Sequence, residues 1–119
     1  YQEPPYAQTK LLRVLEGHIL DVVVDLRRAS ATFGKAYSIE LSAEGNEQLL
    51  VPKGFAHGYA VLSETAIVFY KVDAYYNAGA DRGIYYDDFE IDWQIQASER
   101  LLSAKDLTQP RFSELNSPF

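Results

Sequence analysis

The chain has 119 residues, 47% of them hydrophobic and 24% charged, with a formal net charge of -6. That is the size of one domain with enough apolar content for a core, and its acidic balance argues against bulk binding of nucleic acid or anionic membranes. No apolar run reaches transmembrane length, no signal peptide is visible, and the absence of Cys removes disulfide and thiolate chemistry and fits a cytoplasmic protein.

Nine Tyr, six Phe and one Trp favour strands and shaped pockets over a helical bundle. With this net charge, an anionic small ligand requires a local cluster of Lys, Arg or His. Residues 1–9 are Pro-rich and polar and read as a loop. Their opening, Tyr1-Gln2-Glu3-Pro4-Pro5 without a Met, reads as cut from something longer. Lys10 to Glu16 is a short apolar strand, and Gly17-His18 a turn. Ile19 to Arg27 is the clearest strand. Leu20, Val22, Val24 and Leu26 share one wholly apolar face, while Ile19, Asp21, Val23, Asp25 and Arg27 share the other. The mixed face suits a polar barrel interior, with Asp21, Asp25 and Arg27 read as an internal charge network supporting a pocket. A solvated face is the alternative.

Lys35 to Ser42 is the next strand, followed by a polar loop. Gln48 to Val51 leads into Val51-Pro52-Lys53-Gly54-Phe55-Ala56-His57-Gly58-Tyr59, which sets one of only two histidines just after a Pro-x-Gly turn. A turn, an imidazole and then a strand is how a β-barrel aims a side chain into its own mouth. Gly58 to Leu62 and Thr65 to Val72 read as a hairpin around Ser63-Glu64. Asn77 to Gly83 is a loop, Ile84 to Tyr86 a short strand, and Ser103 to Gln109 a short helical turn before Pro110. Many short strands with almost no helix predict one all-β domain over residues 1–119, an antiparallel barrel or jelly roll with a short C-terminal helical segment.

Ala7-Gln8-Thr9-Lys10, Asp21 to Arg28, Thr32-Phe33-Gly34, Glu40 to Glu44 and Pro52 to Gly58 occur in a familiar order and spacing. So do Tyr70-Lys71, Tyr75-Tyr76, Ile91-Asp92-Trp93 and Leu102 to Asp106. Together these segments resemble the dTDP-4-dehydrorhamnose 3,5-epimerase family, cupins of nucleotide-sugar biosynthesis, over nearly the whole chain. The resemblance implies inversion at C3 and C5 of a dTDP-4-keto-6-deoxyhexose in rhamnose-type biosynthesis, without metal or redox cofactor, in a homodimer. The chemistry is proton abstraction α to a carbonyl, which needs a base, an acid on the opposite face and a donor or cation at the enolate oxygen.

Carried over residue by residue, the resemblance makes Tyr70 the catalytic acid, where alternation alone reads a core tyrosine. It makes Lys10 a substrate-binding lysine able to stabilise the enolate; a solvated lysine is the plain alternative. Asp106 becomes the carboxylate that orients the family's catalytic histidine, although Ser103-Ala104-Lys105-Asp106 also fits a helix capping box. His57 contacts substrate, Lys105 the nucleotide, Tyr76 stacks on thymine, and Asp81 aligns with a substrate-binding acid. Ordinary packing or exposure is the alternative for each.

The family's base is a histidine directly before the Tyr-Gln that here is Tyr1-Gln2, so the chain is expected to be N-terminally incomplete, without that base and the first strands. His18 matches no functional position of the family. Two other readings remain: a non-catalytic sugar-nucleotide-binding cupin, and a metal-dependent cupin. Pro52-x-Gly54-x-x-His57 fits the second metal-cupin signature, but the first needs a His-x-His cluster plus a Glu.

Overall fold

A computed structural model describes residues 1–119. Its strands are β1 (Lys10–Glu16), β2 (His18–Asp25), β3 (Ala36–Ser42), β4 (Leu49–Val51), β5 (Phe55–Val61) and β6 (Ile67–Val72). They form two three-stranded antiparallel sheets, ordered β4-β1-β6 and β3-β2-β5. The only α-helix is α1 (Ala104–Leu107), and short 3-10 turns cover Ala78–Ala80, Ala97–Glu99 and Phe112–Glu114. The expected all-β, jelly-roll class with a short C-terminal helical segment is the observed one. No helix is long and apolar enough to cross a membrane.

Alternation on β2 builds two apolar layers. Ile19 meets Leu12 and Val14 of β1, Leu41 of β3 and Val51 of β4 between the sheets. On the opposite face, Leu20 and Val22 pack with Trp93, while Val24, Leu26 and Ala56 lie under Ile84, Phe89, Phe112, Leu115 and Phe119. The C-terminal arm therefore serves as the second cover of a sheet whose central strand is apolar on both sides.

Four local expectations differ from the structure. The turn ahead of β2 needs only Gly17, whose φ of 79° is left-handed. His18 is already the first residue of β2 and pairs with Ser42. At the other end, β2 stops at Asp25 because its carboxylate accepts the Arg27 amide at 2.9 Å and turns the chain. The segments around Ser63-Glu64 do not form a hairpin: β5 pairs with β2 and β6 pairs with β1. The connection instead crosses between sheets, pinned where Ser63 Oγ accepts the His18 amide at 2.9 Å and donates to the Thr65 carbonyl at 2.6 Å. Finally, residues 84–86 find no strand partner; the Tyr85 amide bonds only the Pro110 carbonyl, at 2.8 Å.

Candidate functional site

β5 begins directly after Gly54, whose φ of 88° turns the chain and whose carbonyl accepts the Leu26 amide at 2.8 Å. Phe55 then pairs with Asp25, His57 with Val23 and Tyr59 with Asp21. His57 and Tyr59 consequently look towards the other sheet. From that sheet Lys10 and Tyr70 look back, because Leu12 pairs with Tyr70 and Lys10 lies two residues from Leu12.

These side chains line one cavity of about 550 Å³. Lys10, His57 and Tyr70 enter from the strands, Asp81 from the loop after β6, and Lys105 and Asp106 from α1. Tyr76 stands beside the cavity, its hydroxyl donating to Asp81 Oδ2 at 3.1 Å. The structure thus brings all seven sequence-selected residues to one region. The alternative of a core position for Tyr70 is not observed, since it is 57% exposed.

The charges are organised around Asp81. Lys105 pairs with its Oδ2, and Gln2 Nε2 donates to its Oδ1 at 3.1 Å. Burial alone would raise the Asp81 carboxyl, but the hydrogen bonds from Lys105 and Tyr76 outweigh it and hold the pKa below its usual value. The same bond raises the Lys105 ammonium. Lys10 behaves oppositely: burial lowers its pKa, with Asp81 and Asp21 pulling back. The first residues form part of this wall, since Glu3 N donates to the Ala80 carbonyl at 2.8 Å and Arg82 N to the Tyr1 carbonyl at 2.9 Å.

Ser103 caps α1, but the reciprocal bond from the Ser103 amide to Asp106 that would complete a capping box is not made. Ser103 Oγ accepts the Asp106 amide at 3.1 Å, and its hydroxyl donates to Asp106 Oδ2 at 2.7 Å. The expected network of Asp21, Asp25 and Arg27 divides into two separate pairs. Asp21 meets His57 Nε2 at 2.8 Å. Asp25 meets Arg27 and Thr32, and neither Asp25 nor Arg27 lines the cavity.

Tyr59, Arg82, Arg100 and Trp93 also line the cavity and were not selected from sequence. Tyr59 was findable, because a residue two after His57 on a strand shares its face. The arginines were not, since only the fold brings their loops to the mouth. Lys10, Arg82, Arg100 and Lys105 together give an acidic protein a cation-lined cavity. No three His, Cys, Asp or Glu side chains are grouped to hold a metal ion.

The family model described as dTDP-4-dehydrorhamnose 3,5-epimerase matches residues 1–114. A dTDP-4-dehydrorhamnose 3,5-epimerase of Shigella flexneri is 46% identical over 114 residues, covering 94% of this chain and 62% of that protein. The crystal structure of such an epimerase from Elizabethkingia anophelis NUHP1 superposes with a TM-score of 0.92 at 48% identity, covering 97% of this chain and 64% of that one. A dTDP-6-deoxy-D-glucose-3,5-epimerase from Legionella pneumophila Philadelphia 1, in complex with dTDP-4-keto-L-rhamnose, gives a TM-score of 0.90 at 38% identity, with coverages of 97% and 62%. The chain spans about six-tenths of the length of the curated relatives it matches.

Proposed function

From the premise that this chain belongs to the dTDP-4-dehydrorhamnose 3,5-epimerase family, we propose that its cavity takes a dTDP-4-keto-6-deoxyhexose and serves epimerisation at C3, C5 or both. The observation that carries this reading is the convergence of Lys10, His57, Tyr70, Asp81, Lys105 and Asp106 on one cavity from distant parts of the chain.

The family's histidine base, expected directly before Tyr1, takes a proton α to the C4 carbonyl, and negative charge develops on the C4 oxygen. Lys10, a partly desolvated ammonium, is the group to stabilise that enolate, because a cation acts most strongly where water is excluded. Tyr70 is the acid that returns a proton to carbon from its phenol hydroxyl. His57 contacts the sugar. Asp106 is the carboxylate that orients the reaction's histidine, and its capping bonds with Ser103 support that role by fixing its rotamer. Lys105 contacts the nucleotide portion, Asp81 binds substrate, and Tyr76 offers a ring for the thymine.

The same premise extends to assembly and location. The outward side of the β4-β1-β6 sheet presents Leu11, Leu50 and Phe69, with Leu15 and Ile67 exposed near its end. Such a patch suits burial against a second copy, so a homodimer in the cytoplasm is the proposed state, and sedimentation velocity tests it.

The function is tested by calorimetry with dTDP and by NMR of the 4-keto sugar nucleotide in deuterated buffer. In the full-length protein, binding accompanied by solvent deuterium at C3 or C5 is expected. Binding without deuterium favours the non-catalytic reading, which draws on the fact that His57 is the cavity's only histidine. No binding of either nucleotide overturns both.

A further inference from the structure

Asp21 is the most deeply buried charged residue on the barrel side of β2, with no exposed surface. One carboxylate oxygen, Oδ2, lies 2.8 Å from His57 Nε2, and the other, Oδ1, has no hydrogen-bond partner. A buried carboxylate oxygen left without a donor is costly. Packing does not call for a carboxylate here, because the neighbouring same-face residues Ile19 and Val23 are aliphatic. The one hydrogen-bond partner Asp21 has is His57, and its charge also acts on Lys10.

A carboxylate can only accept. Its 2.8 Å contact consequently fixes a proton on His57 Nε2. In the neutral ring this leaves Nδ1 as a bare lone pair. Nδ1 makes no hydrogen bond within the protein, yet it is not among the buried polar atoms that lack a partner, so it borders open space. That space is the cavity His57 lines.

We propose that Asp21 is a positioning residue that locks His57 as the Nε2–H tautomer, so that Nδ1 presents a hydrogen-bond acceptor that selects a hydroxyl of the bound ligand. His57 thereby reads a donor group on the sugar, while the carbonyl oxygen is left to Lys10. The choice of a hydroxyl partner rests on the sugar-nucleotide reading given above; the tautomer does not. The pairing across β2 and β5 makes the arrangement stiff, because Val23 is held opposite His57 and Tyr59 opposite Asp21 in one ladder.

The test is a long-range ¹H–¹⁵N correlation spectrum of the histidine rings in the whole chain, with His18→Gln supplying the assignment. Under conditions where the nitrogen shifts report a neutral ring, His57 is expected to carry its proton on Nε2. Asp21→Asn keeps the shape but offers either an acceptor or a donor, so the Nδ1–H form should become populated. Affinity for a dTDP-hexose bearing free sugar hydroxyls should then fall roughly tenfold, the loss of about one hydrogen bond, with dTDP affinity held within about twofold. A wild-type His57 protonated on Nδ1, a tautomer that ignores Asp21→Asn, or an equal loss of dTDP and dTDP-hexose binding overturns the proposal. The wild-type spectrum decides the tautomer even if Asp21→Asn fails to fold. Failure of wild-type protein to bind dTDP would instead sink the nucleotide reading and leave the tautomer standing.

Discussion

Asp81 and Lys105 form a direct ion pair at the cavity wall, and the same carboxylate accepts from Tyr76 and Gln2. Three partners, Gln2, Tyr76 and Lys105, thus meet on one side chain. The pair is half-exposed on the lysine side, so it adds little to stability. Its consequence is positional, since it holds an ammonium and a phenol ring at a fixed spacing beside the cavity.

If that spacing serves a nucleotide diphosphate, Lys105→Ala should weaken dTDP roughly tenfold, about 1.4 kcal/mol. Tyr76→Phe keeps the ring and should change affinity little, whereas Tyr76→Ala should lose about 1–3 kcal/mol of stacking. Calorimetry on the three variants measures this, and equal losses for Phe and Ala would rule out stacking.

Lys10 should be a residue that function holds against stability. Burial lowers its pKa, so the folded state binds that proton less readily than the unfolded chain. The cost is present at neutral pH and disappears as pH rises through the lowered value towards the unfolded value near ~10.4. Lys10→Met should therefore stabilise the protein at pH 7 by roughly 1 kcal/mol, with a gain that shrinks near pH 10. Deuterium exchange should be abolished in the same variant. Urea denaturation at both pH values checks the first part.

Asp25 behaves with the opposite sign. Arg27, Thr32 and the Arg27 amide all donate to its buried carboxylate, and the Arg27 bond above all holds it well below the usual carboxylate range. Its contribution is complete above the unfolded value near ~3.9 and is lost as pH falls below it. Asp25→Ala should cost about 2 kcal/mol at pH 7, and the gap to wild type should narrow at pH 3. A gap that widens in acid would contradict this assignment.

Gly54→Ala should damage the same region from the other side. The left-handed φ of 88° disfavours any Cβ, and an added one would come within 2.6 Å of Arg27 Cγ. Arg27 cannot easily move, because it is tied to Asp25 and stacked 4.6 Å over Phe55. A loss of about 1–2 kcal/mol follows from the backbone alone, readable by thermal melting, and Asp25→Ala in the same chain should relieve part of it.

How much of this was readable beforehand depended on the range of the interaction. β1 has the expected bounds, Lys10–Glu16, because a short apolar stretch ended by Gly17 carries its own punctuation. The Ser103 cap was legible for the same reason: donor and acceptor lie three residues apart. The supposed hairpin around Ser63 was not, since alternation describes each strand's faces but not its neighbour. A bond from His18 to Ser63 spans 45 residues and leaves no local trace. Asp21 illustrates both cases. Its face was read from alternation, but its partner is set by cross-strand register, which moved it from a shared network with Asp25 to a pair with His57. The six cavity residues and Tyr76 beside them were selected through family spacing, and composition alone would have distinguished none of them.

Lys10 and Tyr70 stand on one sheet and His57 on the other, with the apolar layer built on Leu12, Val14, Ile19, Leu41 and Val51 setting the distance between them. The cavity is therefore a gauge of that layer's compactness. If Tyr70 is the proton donor, warming that lets the two sheets breathe will separate it from His57 while every ladder is still intact. Catalytic competence should then fade some degrees below the melting point, and recover on cooling without refolding.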